Sequence, residues 1–181
     1  MKKMNKKTVF ITTSAIIAAL YAALTYISAA MCLAYGEVQF RLSEALTVLP
    51  LFTPAAVPGL TIGCIVSNIT STVNIADMVI GSAASFAAAV LTRKLRNVKI
   101  KNYPFLSVLM PVLVNGIIVG AEITYFAAPG ESAFVFFLSA FASVAAGEAA
   151  VCFILGSGLI AFINKNQRVK NLIEGRSYTR V

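Results

Sequence analysis

Three glutamates, Glu44, Glu122 and Glu148, stand inside long apolar stretches, and Asp77 stands at the edge of another. An ionised acid near the centre of a membrane helix costs roughly 2.5–3.5 kcal/mol on insertion scales, so three cost on the order of 8–10 kcal/mol. Acids kept in such places must be protonated, hydrogen-bonded or matched to a cation. Arg41, three residues before Glu44, neutralises one of them, and the two share a face if helix extends that far. Asn115 and Glu122, seven residues apart, fall on one helical stripe, and Tyr125 follows three later. Glu148 sits among Gly147, Ala140, Ser143, Ala145 and Ala146, small residues that leave room beside a carboxylate. Such a set suits the binding of a cationic or donor-rich group. Two structural readings compete with this. One is an Arg41–Glu44 ion pair; the other is an interhelical hydrogen bond from Asn115, helped by close packing at Gly116-x-x-x-Gly120.

The residue types that are missing narrow the chemistry further. There is no His, hence no imidazole ligand or base, and Cys32, Cys64 and Cys152 stand far apart with no C-x-x-C. Isolated cysteines in apolar runs are ordinarily small core residues. No metal and no cofactor is expected. There is no G-x-x-x-x-G-K-[ST] phosphate loop and no G-x-S-x-G nucleophile.

The elements that hold these residues must be membrane helices. Of 181 residues, 59% are hydrophobic and 12% charged, about half the charge of an ordinary soluble domain. Thr8 to Ala34 is one uncharged run, too long for a signal-peptide core, and reads as a retained first helix. The run from Ala45 to Ala76 is 32 residues, short of the roughly 40 that two spans need. One span therefore begins before Glu44, and Pro54 to Gly59 makes the turn between the two. Met78 to Thr92, Pro104 to Phe126 and Ser132 to Asn164 complete an all-α membrane protein of six spans in a single domain, 1–181.

Of the 15 bases, 14 fall in three blocks: Lys2 to Lys7, Arg93 to Lys101, and Lys165 to Arg180. Six spans put all three blocks on one side, so the positive-inside rule predicts both termini (1–7 and 165–181) and the 93–101 linker in the cytoplasm. This distribution explains the net charge of +8 without nucleic-acid binding. On the first helix, Ala15, Ala19 and Ala23 recur every four residues, and Ala18 and Ala22 form a second such pair. Either row could receive another helix.

The run Gly36-Glu-Val-Gln-Phe-Arg-Leu-Ser-Glu-Ala-Leu-Thr-Val-Leu-Pro50, followed by Phe52-Thr-Pro-Ala-Ala-Val-Pro-Gly59, resembles the signature of the QueT family. The likeness extends through Ile62 to Asn68, Asp77 to Ser82, Pro111 to Glu122, and Gly147-Glu148. It implies a six-helix substrate-binding S component of an energy-coupling factor (ECF) transporter in a prokaryotic plasma membrane. Such a subunit has no ATPase activity of its own. It docks on the coupling protein EcfT, driven by two cytoplasmic ATPases, and the first helix would meet EcfT through Ala15, Ala19 and Ala23. The implied substrate is a 7-substituted 7-deazaguanine, in the first place the aminomethyl form. Its donor edge suits one carboxylate and its cation a second. The implied binding set is Gln39, Arg41, Glu44, Asn68, Asp77, Asn115, Glu122, Tyr125 and Glu148, with Phe40 or Tyr125 as stacking candidates. Which acid meets which group stays open.

Two other functions compete. A stand-alone ion-coupled carrier would also use intramembrane acids, but 181 residues lack the duplicated halves common in such carriers unless the chain dimerises. An intramembrane hydrolase would need an unusual acid pair.

Overall fold

A computed structural model describes residues 5–32, 40–69, 75–127 and 133–175. Among these residues the regular structure is helical throughout. Helix α1 spans Lys6–Ala30, capped by Asn5, whose side chain accepts from the Lys7 N–H. A 3-10 helix, Leu42–Leu51, comes next, and then α2, Ala56–Asn68. Helices α3, Ile75–Lys94, and α4, Phe105–Ala127, are joined by the basic linker. Helix α5, Ala133–Ala150, continues through a π-helical stretch, Val151–Gly156, into α6, Ser157–Lys165. A short α7, Gln167–Ile173, follows.

Four of these helical stretches are long and apolar enough to cross a membrane: Lys6–Ala30, Ile75–Lys94, Phe105–Ala127 and Ala133–Lys165. The expected second and third spans are shorter. Thirteen residues of α2 rise about 20 Å, and ten of the 3-10 helix at ~2.0 Å each cover a similar length. Tight winding lets few residues travel far. Pro58 falls in the first turn of α2, where a missing N–H costs nothing, and the break before it lies at 52–55.

The 3-10 helix is the centre of the bundle. It touches α1, α2, α3, α4, α6 and the π stretch, and most of its residues are buried. Its end is held by Arg93, whose guanidinium donates to Pro50 O at 2.9 Å and Leu51 O at 3.3 Å. These are carbonyls that a helix terminus leaves without partners.

Glycines set the helix spacing. A Cβ on Gly63 would lie 2.7 Å from Tyr21 Cβ, and one on Gly59 2.8 Å from Ser14 O. Gly59-x-x-x-Gly63 therefore lets α2 lie flat against α1. The two run parallel, since Ser14 Oγ bonds Ala55 O and Tyr26 OH bonds Val66 O. Gly116 and Gly120 do the same for α4 against Phe141 of α5.

The start of α1, the 95–104 linker and α7 gather at one end of the bundle. Val9 and Ile173 share one apolar groove, and Arg96 and Lys170 line one cavity. The C-terminal stretch expected as a plain tail thus carries a helix whose Val169 and Ile173 pack on the core.

Candidate functional site

The acid cluster forms towards the other end, where six helical elements converge. Glu44 sits in the first turn of the 3-10 helix and is 3% exposed. Three hydrogen bonds tie this turn to α1: Tyr21 OH donates to Glu44 Oε1, Thr25 Oγ1 to Ser43 Oγ, and the Leu42 N–H to Ser28 Oγ. Their α1 partners, Tyr21, Thr25 and Ser28, lie on one buried face.

Arg41 precedes the 3-10 helix with an extended backbone (φ −96°, ψ 111°), so the helical spacing expected for Arg41 and Glu44 does not apply. They still meet. Arg41 and Glu44 line one cavity with Asp77 from the first turn of α3, Asn115 from α4 and Glu148 from α5. Asn115 Nδ2 donates to Glu148 Oε1 at 2.5 Å, the interhelical bond that the Gly116–Gly120 close approach permits.

Asn68, at the end of α2, is buried beside this cavity. Its amide nitrogen would be 3.3 Å from a Cβ on Gly81, and it bonds Cys64 Sγ at 3.6 Å. Glu122 is buried on α4, close enough to Asp77 and Arg41 to interact with both. Tyr125 is elsewhere: it is 78% exposed, edge-on to Phe126. A stacking role from that position has no support in the packing. Gln39 lies outside the described residues. Ala15, Ala19 and Ala23 are exposed on α1, whereas Ala18 and Ala22 face inward.

Sequence reasoning overlooked Tyr21, Cys64, Gly81 and Ser85. The signal for Tyr21 was present: Ser14, Tyr21, Thr25 and Ser28 recur at helical spacing, a polar seam in an apolar helix.

The electrostatics are lopsided. Among the described residues the cavity lining holds one base, Arg41, and three acids, Glu44, Asp77 and Glu148. Three buried oxygens in this region, Glu44 Oε2, Glu122 Oε2 and Asn68 Oδ1, have no hydrogen-bond partner among the described residues. All three are acceptors. Leaving buried acceptors unmatched costs ~1–3 kcal/mol each. The cavity itself is about 30 Å³, room for about one water and roughly a tenth of an ordinary ligand pocket. A ligand larger than water therefore requires the surrounding elements to part.

Among the described residues no group of His, Cys, Asp and Glu is arranged to hold a metal ion.

Comparison with known proteins agrees with this picture of a membrane carrier. A family model described as QueT transporter matches residues 11–165. The chain is also similar to a Lactococcus lactis subsp. cremoris (strain MG1363) protein named "Queuosine precursor transporter QueT". The two are 39% identical over 85 residues, which cover 47% of this chain and 48% of the relative. The match thus spans about half the relative's length. No solved structure matches.

Proposed function

From its membership of the QueT transporter family, which the match over residues 11–165 establishes, we propose that this chain is the substrate-binding S component of an ECF-type importer. Its cargo is a queuosine precursor, a 7-deazaguanine carrying an aminomethyl or related side group. The observation that carries this reading is the set of buried acceptors without partners, Glu44 Oε2, Glu122 Oε2 and Asn68 Oδ1. A guanine-type edge offers an N–H and an amino group side by side, and an aminomethyl cation adds further donors. A ligand of this kind supplies donors and positive charge to a cluster in which acids outnumber the one base, Arg41.

In this proposal the chain passes the membrane six times, the two short helices crossing inside the bundle. The basic end faces the cytoplasm and the acid cluster opens to the outside. EcfT meets the exposed Ala15–Ala19–Ala23 row, and ATP hydrolysis belongs to separate subunits. Mass spectrometry of small molecules co-purifying with the protein tests the cargo. A 7-deazaguanine is expected; an unrelated solute, held stoichiometrically, would overturn the assignment. The acid excess also favours one second reading, a proton-coupled carrier that works alone. Concentrative uptake by the purified chain in liposomes under a proton gradient would establish that reading and remove the first.

A further inference from the structure

A second cavity lies at the basic end, away from the acid cluster. It measures about 440 Å³, within the range of ordinary ligand sites, against about 30 Å³ at the acids. Arg96, Lys99 and Lys170 line it, and Glu174 is the one acid among the described lining residues. Phe52 and Ile160 form part of an apolar floor.

The rim is built. Ile100 and Tyr103 exchange two backbone hydrogen bonds of 2.9 and 3.0 Å across Lys101 and Asn102. Both turn residues have positive φ, +49° and +66°, a conformation uncommon outside glycine that the surroundings must enforce. The Tyr103 hydroxyl is bonded to Ser157 Oγ at 2.5 Å, which ties this turn to α6. Lys170 arrives from a third segment, α7. The positive-inside rule explains why these residues are basic. It does not explain why two separate segments, the linker and α7, bring them around one cavity with an apolar floor.

We propose that this cavity seats the phosphate of an anionic phospholipid, with an acyl chain lying over the floor. The three cations outnumber the single acid, so the cavity carries net positive charge and attracts the single negative charge of a phosphate diester. A free phosphate has the same head chemistry but no use for an apolar floor. Leu51, Phe52, Pro104, Ile160 and Ala161 make that floor. The lipid is therefore the occupant.

The test uses the full chain purified in neutral detergent. With the exposed Cys32 replaced by serine, unfolding is followed with a thiol-reactive dye at the buried Cys64 and Cys152, with phosphatidylglycerol, phosphatidylcholine or inorganic phosphate added. Phosphatidylglycerol is expected to raise Tm by about 3–6 °C once it exceeds its Kd about tenfold. Phosphatidylcholine and inorganic phosphate should leave Tm unchanged. The variant Arg96→Gln/Lys99→Gln/Lys170→Gln should lose the shift, and Lys99→Gln alone, at an exposed position, should lose part of it. A control, Lys6→Gln/Lys7→Gln/Arg168→Gln, should keep it. Equal shifts with both lipids, a full shift in the rim variant, or loss in the control would each overturn the site. A shift from inorganic phosphate alone would overturn the lipid in favour of a soluble anion.

Discussion

The Tyr21 hydroxyl donates to Glu44 Oε1, which joins the first helix to the acid that the 3-10 helix carries into the bundle. The bond divides the carboxylate: Oε1 accepts from Tyr21, and Oε2 accepts from no donor among the described residues. It also gives α1 two distinct faces. Tyr21, Thr25 and Ser28 point inward, and Ala15, Ala19 and Ala23 point outward. Movement of α1 against a partner would pull directly on Glu44.

Tyr21→Phe removes this donor and keeps the ring. Glu44 Oε1 then stays buried and loses the Tyr21 donor, at a cost of ~1–3 kcal/mol. Ligand affinity is expected to fall by about ten- to a hundredfold, and Tm of the ligand-free protein to fall as well. Calorimetry and thermal unfolding measure both. Parent-like values in both would show that the hydrogen bond is not part of the site.

Gly63→Ala and Gly158→Ala should differ sharply. The first places a methyl 2.7 Å from Tyr21 Cβ, whereas the second meets nothing within 4 Å. Overpacking costs ~1–3 kcal/mol, whereas alanine in an open helical position gains up to about 1 kcal/mol over glycine. Thermal unfolding should rank Gly158→Ala at or above the parent and Gly63→Ala below it. The reverse order would mean that α1 and α2 are not packed through this glycine.

Much of this fold was legible because membrane insertion leaves a coarse record. Uncharged runs located the four helical stretches long enough to cross a membrane, and the bounds of α3, α4 and the last long helix lie within a few residues of expectation. The exception was the centre. Between Arg41 and Leu51 no periodicity separates a 3-10 helix from an α-helix, because a segment buried on all sides is apolar all round. The acids of the cluster were visible for the opposite reason, since charge in an apolar run is conspicuous. Tyr21 was not, because a tyrosine in a membrane helix is ordinary until its hydroxyl is seen to reach Glu44. Tyr125, three residues after Glu122, lies near the stripe but on its exposed edge.

Ala19→Leu or Ala15→Leu should impair uptake by the assembled transporter and leave ligand binding by the isolated chain nearly unchanged. Both alanines are exposed on α1, so leucine there obstructs an approaching helix and disturbs nothing inside. If ligand affinity falls as far as uptake, the row serves the chain's own packing instead.

The proposed orientation can be read by thiol labelling in intact cells, after Cys32, the exposed native thiol, is replaced by serine. Impermeant reagent should react at Glu131→Cys and miss Asn97→Cys and Lys170→Cys. External labelling at position 97 would refute the arrangement with the basic end inside.

The three buried glutamates should not be equivalent, because the protein already occupies them to different degrees. Glu148 Oε1 accepts from Asn115, and Glu44 Oε1 accepts from Tyr21. Glu44 Oε2 and Glu122 Oε2 accept from nothing among the described residues. In Glu44→Gln the amide oxygen can keep the Tyr21 bond, which turns the new NH2 towards the ligand's donor edge. Donor then faces donor, and the aminomethyl and nitrile deazaguanines should both weaken by about ten- to a hundredfold. Glu122 does not line the cavity that Glu44 and Glu148 share, so it is the better partner for a side-group cation. Glu122→Gln should weaken the aminomethyl ligand and spare the uncharged nitrile. Glu148→Gln keeps an acceptor for Asn115 and should cost less than Glu44→Gln with either ligand. Calorimetry of both ligands against the three variants separates these cases. Parent-like affinity in all three would make the acids structural and remove the binding site from this end of the bundle. Equal losses with both ligands at Glu122 would instead place the cation elsewhere.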